Sequence, residues 1–433
     1  MRKYYDQVRS LLFSATAKDT FVLFSGNLLA AFWGFVFILI VARALSVYDF
    51  GVFSAVLNLV VILASIADIG ISTGSINFIS FHLAKGEKEK ADEYTKASFI
   101  VRIIIVLSVS IVVAIFAPFV SKTFLATRDP AMALWAAAIP IFIFPDAFFP
   151  FVLQARKKFF HSTLIDNVFY LVRLLFALAF YLVGGLTMSK AFWAFGAGFL
   201  IEGILILIFV KTKFMYAKPK KEEYKNLLKF SGWMGVSRVT SSVSGRLDIQ
   251  MLASMVGALA TGLYSIPSRL ASFISVLSGS FSSVLATRLA GFGDKEHEKK
   301  YILKSLLAIV PIVIGVVFLI IVAKPFILIL FGDKYLASVP IFQALAAAQI
   351  PFLFATPSTS AIIYSMKKTV YIGIFSSFQL IAILILNFLL IPRFGVYGPI
   401  ISIGVLNLVL VILSWWIVIK HYWGKQKDLG IKI

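Results

Sequence analysis

The sequence predicts an all-α polytopic membrane protein of about twelve transmembrane helices, and three observations predict it. Of the 433 residues, 60% are hydrophobic and only 14% are charged, where soluble domains run near 45–50% and about 25%. Mean hydropathy is +0.95. The apolar residues fall in runs of about 20 or more between charged clusters, the length a helix needs to cross the hydrocarbon core. A soluble chain of this size has no interior that could take so much apolar surface, whereas a bilayer supplies the solvent.

Read between charge clusters, the spans fall at 20–43, 50–81, 97–118, 131–153, 163–183, 191–211, 227–255, 260–287, 302–323, 338–365, 369–391 and 397–419. The run at 50–81 is long for one crossing and is expected to tilt or bend. The fourth span carries Pro140, Pro145 and Pro150, and the tenth Pro340, Pro351 and Pro357. Each proline removes a backbone hydrogen bond, so both spans are expected to bend, as helices that flex between two states or as static kinks. Residues 1–19 are too polar for a signal-peptide core and read as a short interfacial helix.

The net charge is +21, from 41 Lys and Arg against 20 Asp and Glu. Its placement argues against nucleic acid. Basic residues crowd into 1–19, 83–96, 154–161, 211–229, 288–304, 365–369 and 420–433, which alternate with the other connections. Those others hold only Lys122, Arg128, Lys190, Lys324, Lys334 and Arg393. The asymmetry is a topology signal and places both termini in the cytoplasm. There is no Cys and there are only 4 His, without metalloprotease spacing, so no thiolate site, metal site or cofactor is implied. No connection is long enough for a catalytic domain, and the chain reads as a transporter rather than an enzyme.

The two halves repeat. Phe24-Ser25-Gly26 matches Phe230-Ser231-Gly232, and Gly51-Val-Phe-Ser54 matches Gly262-Leu-Tyr-Ser265. Gly86-Glu-Lys88 matches Gly293-Asp-Lys295, and Lys157-Lys158 matches Lys367-Lys368. The offset is about 210 residues, six spans, as expected of parallel repeats related by an axis along the membrane normal. The expected organisation is a cytoplasmic interfacial segment 1–19, a six-helix lobe 20–210, a basic linker 211–229, a second six-helix lobe 230–420 and a tail 421–433.

Ionisable residues inside spans are the functional candidates, since each costs at least ~2.5–3.5 kcal/mol at the centre of an isolated helix. They are Asp68, Asp146, Asp166, Arg173, Glu202, Arg238, Arg246, Asp248 and Arg269; Arg102, near a span end, reads as snorkelling to the surface. At 100° per residue, Ser231, Gly235, Arg238, Ser242, Gly245 and Arg246 form a stripe on the seventh span. Ser265, Ser268, Arg269, Ser272, Gly279 and Ser283 form one on the eighth. The small residues alone read as close helix packing. With the arginines, two readings stay open: a water-filled cavity that attracts anions, or salt bridges between helices. Asp248 points away from Arg246, so local pairing of the two is not expected. Ser54, Asn58, Ser65, Asp68, Ser72 and Ser75 make an anionic stripe on the second span, where Asp68 could pair with an arginine or take a cation. Asp166 and Arg173 share a face but lie about 10 Å apart along the axis. Glu202 reads either as the partner of an arginine or as a coupling-ion site.

Several segments resemble the polysaccharide-biosynthesis flippases of the multidrug/oligosaccharidyl-lipid/polysaccharide exporter superfamily, the O-antigen repeat-unit translocase type. They are Val41-Ala-Arg-Ala-Leu-Ser-Val-Tyr-Asp-Phe-Gly-Val-Phe-Ser54, Ala67-Asp-Ile-Gly70, Gly245-Arg-Leu-Asp248 with Thr261-Gly-Leu-Tyr-Ser265, Phe331-Gly-Asp-Lys-Tyr335, and Asn387-Phe-Leu-Leu-Ile-Pro392 with Gly395-Val-Tyr-Gly398. The resemblance covers most of the chain. It implies a two-lobed, alternating-access carrier in the cytoplasmic membrane. The cargo would be an undecaprenyl-pyrophosphate-linked oligosaccharide, with membrane lipids and a coupling ion, H⁺ or Na⁺, as the other partners of a monomer. Arg238, Arg246, Arg269 and Arg173 would then meet the anionic head group, since guanidinium matches phosphate geometry. Asp68, Glu202, Asp248 and Asp146 would serve coupling or gating. The alternatives are a cation-coupled multidrug exporter of the same superfamily, whose cleft should be acidic, and a membrane polysaccharide polymerase or ligase, which would need an external catalytic loop.

Overall fold

The computed structural model describes residues 15–210, 212–289 and 294–423, all of whose regular structure is helical. The interfacial helix expected at the N-terminus falls, through residue 14, outside the described residues, as does the tail from 424. Up to residue 246 the helices are α1 (Ala15–Ala44), α2 (Val47–Asp68), α3 (Ile71–Ala84), α4 (Lys88–Ile115), α5 (Ala117–Phe124), α6 (Pro130–Phe142), α7 (Phe144–Ala155), α8 (Phe159–Gly184), α9 (Met188–Val210) and α10 (Lys221–Ser244). From residue 247 they are α11 (Leu247–Met255), α12 (Ala258–Leu289), α13 (Lys295–Ile321), α14 (Ala323–Phe331), α15 (Ser338–Ser360), α16 (Thr369–Phe394) and α17 (Tyr397–Tyr422).

Among the described residues, 11 helices are long and apolar enough to cross a bilayer. The run expected as the seventh span does not qualify. Its first part, α10, carries Lys221, Glu222, Glu223, Lys225 and Lys229 and is rich in Ser; it ends at Ser244, before the nine residues of α11. Gly245 stands at the break, with its amide on the Ser241 carbonyl.

The long second run is also interrupted. α2 ends at Asp68, and Ile69 (φ 37°) and Gly70 (φ 78°) adopt left-handed backbone before α3 begins. A β-branched residue rarely takes this conformation, so neighbouring contacts must hold it there. The fourth run divides into α6 and α7 around Ile143, next to the Pro145 that starts α7. The tenth keeps Pro351 and Pro357 within α15 and then widens into a π-helical turn, Ala361–Ser365. The prolines thus give a break in one repeat and a π turn in the other.

The chain forms two compact units, one ending at Arg246 and one beginning at Leu247. Within the first, α1 packs on α8, α8 on α9, α2 and α3 on α6 and α7, and α4 on α6, while α10 lies against α2, α3 and α4. Within the second, α11 packs on α16, α16 on α17, α12 on α15 and α13 on α15. The neighbour pairs of the first unit therefore recur, six spans later, in the second. The likeness extends to single residues. Lys157 (φ 58°) and Lys367 (φ 55°) occupy equivalent repeat positions and share left-handed backbone. Phe144, Phe148 and Phe149 pack with Phe99 and Phe214 in the first core. Leu252, Tyr264, Ile341, Leu345, Ile391 and Ile400 fill the second.

Candidate functional site

The break after α2 organises the first charged site. The Asp68 Oδ1 accepts hydrogen bonds from the Ser72 amide (3.1 Å) and hydroxyl (2.5 Å) in the first turn of α3. A carboxylate there satisfies a free helix amide and meets the positive end of the helix dipole. Arg102 of α4 completes the group, its Nη1 lying 3.2 Å from Asp68 Oδ1 and donating to Ser72 Oγ at 2.7 Å. Arg102 is only 4% exposed, so the snorkelling expectation is corrected. The helix that carries it starts at Lys88, about 21 Å upstream at 1.5 Å per residue, and its side chain turns inward to a carboxylate. Nothing local in the sequence pairs residues 68 and 102; the signal available was an arginine deeper in its helix than the apolar run suggested.

Residues of α10 close around the same break. The Gly70 and Gly235 backbones approach so closely that a Cβ on Gly70 would stand 2.6 Å from the Ser231 carbonyl oxygen, and one on Gly235 would strike Ile69. Ser231 and Gly235 are thus packing residues, the small-residue contact that lets helices approach. Further along, Ser65 and Ser242 share a 2.5 Å hydroxyl hydrogen bond, and Asn58 Nδ2 donates to the Arg246 carbonyl at 2.9 Å. Asp68, Ser72, Arg102, Ser65 and Ser242 line a cavity of about 390 Å³ with apolar walls from α2 and α7. The seventh-span stripe does not continue as drawn: α10 ends at Ser244, so the 100° progression does not carry to Gly245 and Arg246. Arg246 is half-buried, and the Arg238 side chain lies outside the described residues.

A second charged group is assembled by α7, α8 and α9. Arg173 is 6% exposed, and its guanidinium lies 4.1 Å from the Tyr170 ring centroid, 5.0 Å from those of Phe37 and Phe195 and 5.8 Å from that of Phe169. Four rings take the place of water around the cation. Its Nε has no hydrogen-bond partner. The Asp146 and Asp166 carboxyls face one another, and Asp146 also faces the Arg173 charge. Asp146 Oδ1 is buried without a hydrogen-bond partner. Glu202 of α9 is fully buried within the field of both aspartates, and neither of its oxygens is hydrogen-bonded. Among the described residues, no three acidic or histidine side chains are gathered as a metal cage requires.

In the second unit, Asp248 opens α11. Its carboxylate accepts from Tyr264 Oη (2.9 Å), the Ile249 amide (2.8 Å) and Ser268 Oγ (3.5 Å). Arg269 is half-buried on α12. On the eighth-span stripe, Ser265 is buried with its hydroxyl on the Thr261 carbonyl, whereas Ser272, Gly279 and Ser283 are exposed. The helix contacts come instead from Ser278 and Ser282, which bond Thr356 (2.6 Å) and Ser360 (2.9 Å) of α15.

Comparison with known proteins bears on what such an assembly does. Residues 16–291 match the family described as polysaccharide biosynthesis protein. A Shigella flexneri protein that carries the provisional name O-antigen transporter is 23% identical over 398 residues, covering 87% of this chain and 91% of that protein. Among solved structures, an inward-facing multidrug resistance transporter of the MATE family, MOP superfamily, aligns with a TM-score of 0.77 at 14% identity, over 93% of this chain and 96% of that one. The lipid II flippase MurJ aligns with a TM-score of 0.71 at 15% identity, over 94% and 89%. At these identities the structural likeness is one of fold.

Proposed function

The chain belongs to the polysaccharide biosynthesis protein family, and from that premise we propose that it is a flippase, not an enzyme, that carries a lipid-linked oligosaccharide across the cytoplasmic membrane by alternating access. The observation that carries the reading is the match along nearly the whole length of a relative named for O-antigen transport. The cargo is an undecaprenyl-pyrophosphate-linked repeat unit, the termini are cytoplasmic, and the carrier works as a monomer. Its lobes are 20–210 and 230–420, joined by the basic linker 211–229.

Arg238, Arg246 and Arg269 are the candidates for the anionic head group. Arg173, enclosed by aromatic rings, serves better as the internal counter-charge of the acid cluster. Asp146, Asp166 and Glu202 set three acids against that one base. If all were ionised, the excess negative charge would stand in a nonpolar interior, which makes the cluster a place to take up cations during the cycle. Protons are the preferred coupling ion, because a proton cancels the charge of a buried carboxyl without needing further ligands, and Glu202 and Asp146 Oδ1 are buried with no hydrogen-bond partner. Asp68, fixed to Arg102 and Ser72, anchors a hinge, and Asp248 holds the start of α11.

Purified protein in liposomes should move a fluorescent polyprenyl-pyrophosphate oligosaccharide between leaflets, and the gene should restore surface polysaccharide to a flippase-null strain. The acidic cluster gives the multidrug-exporter reading one specific support. The same liposomes decide between them: export of a cationic dye without movement of the lipid-linked sugar would reverse the assignment.

A further inference from the structure

The second unit carries a groove that plays no part in the proposed head-group or coupling sites. It runs between α16 and α17, encloses about 730 Å³ and ends at Lys368, Lys420 and His421. Its walls are apolar, including Ile374, Phe378, Leu413 and Trp416, all of them exposed. Phe378 lies ten residues along α16 from Lys368, so the apolar wall extends about 15 Å from the cationic end.

Two features keep that end cationic. Among the described residues, no carboxylate pairs with Lys368 or Lys420. The nearby acid, Glu298, is occupied elsewhere: its Oε2 accepts from Ser365 Oγ and Tyr422 Oη, both at 2.6 Å. The Lys420 ammonium sits 5.2 Å above the Trp416 ring, the arrangement of an interfacial aromatic and a basic residue at the edge of the hydrocarbon. The π turn Ala361–Ser365 and the left-handed Lys367 set back the start of α16 and shape the rim.

A small anion would have no use for 15 Å of apolar wall, and a neutral lipid would have no use for two lysine ammoniums at its end. We propose that this groove holds one anionic phospholipid. Its phosphodiester sits on Lys368, Lys420 and His421, and one acyl chain lies along Phe378 and Leu413. The lipid belongs to the leaflet that meets the basic end, and basic pockets between transmembrane helices on that side are where acidic head groups bind. The inference does not depend on what the protein transports.

The test is native mass spectrometry of the delipidated full-length protein, titrated with phosphatidylglycerol, phosphatidylethanolamine or inorganic phosphate. Phosphatidylglycerol should bind about tenfold or more tightly than phosphatidylethanolamine, from two lysines beside an anionic head group. Inorganic phosphate should not bind measurably. The preference should vanish in a K368Q/K420Q variant, while Leu413→Trp, which fills the groove without changing charge, should weaken both lipids. A thermal melt without lipid checks that each variant is folded, and Phe378→Trp replaces Leu413→Trp if the latter is not. Equal binding of the two phospholipids, an unchanged preference in K368Q/K420Q, or saturation by phosphate alone would each overturn the proposal.

Discussion

Asp68 and Glu202 are both carboxyls held within the first unit, and their surroundings are opposite. Asp68 accepts two hydrogen bonds from Ser72 and faces Arg102. Glu202 is fully buried, with neither oxygen hydrogen-bonded. The first acid satisfies a helix end and holds a left-handed break against α10. The second returns nothing to the fold, and a buried, unsatisfied polar group is a cost that function explains better than packing does. The contrast separates an acid that builds the structure from one proposed to serve the transport cycle.

The largest effect on stability should come from breaking the first arrangement. Asp68→Ala leaves Arg102 buried without its carboxylate and should destabilise the protein by about 3–5 kcal/mol, read as a fall in thermal midpoint in detergent. Adding Arg102→Met should recover much of the loss. If the single variant is benign, Asp68 is not the anchor described. Next in size is Gly70→Ala, where left-handed backbone and a Cβ 2.6 Å from the Ser231 carbonyl oxygen combine. It should cost roughly 1–3 kcal/mol in the same melt. Tyr170→Leu removes the ring nearest the Arg173 guanidinium and should cost about 0.5–2 kcal/mol; a neutral result would mean that the cage does not hold the cation. Smallest is Glu202→Gln, which loses no hydrogen bond and should shift stability by less than about 1 kcal/mol. A large fall there would make Glu202 structural and erase the contrast.

How far the sequence led differs between these regions for physical reasons. The spans were legible because a bilayer enforces long apolar runs, and the repeat because equivalent turns need equivalent residues, as Lys157 and Lys367 illustrate. The bend in the second run was legible from its length, but its site was hidden: Ile69 is a poor residue for left-handed backbone, and only Gly70 beside it pointed there. Arg102 was misread because a partner 34 positions away leaves no trace in helix periodicity. The seventh-span stripe was drawn through Gly245, where the helix ends, and a wheel has no meaning beyond a break. Its small residues taken alone read as close packing, and Ser231 and Gly235 do pack against the break; once the arginines are added, such a stripe looks the same against a helix as against a cavity. For the acid cluster, the residue types were visible, but their meeting across α7, α8 and α9 was not.

The central claim is that the first unit couples lipid-linked oligosaccharide movement to cation uptake at Glu202. Wild-type protein and Glu202→Gln, in liposomes containing a fluorescent polyprenyl-pyrophosphate oligosaccharide, would be compared with and without an imposed pH gradient. The account predicts that the gradient accelerates flipping by the wild type and leaves the variant, folded and equally stable, at its basal rate. Equal acceleration in both proteins would contradict it.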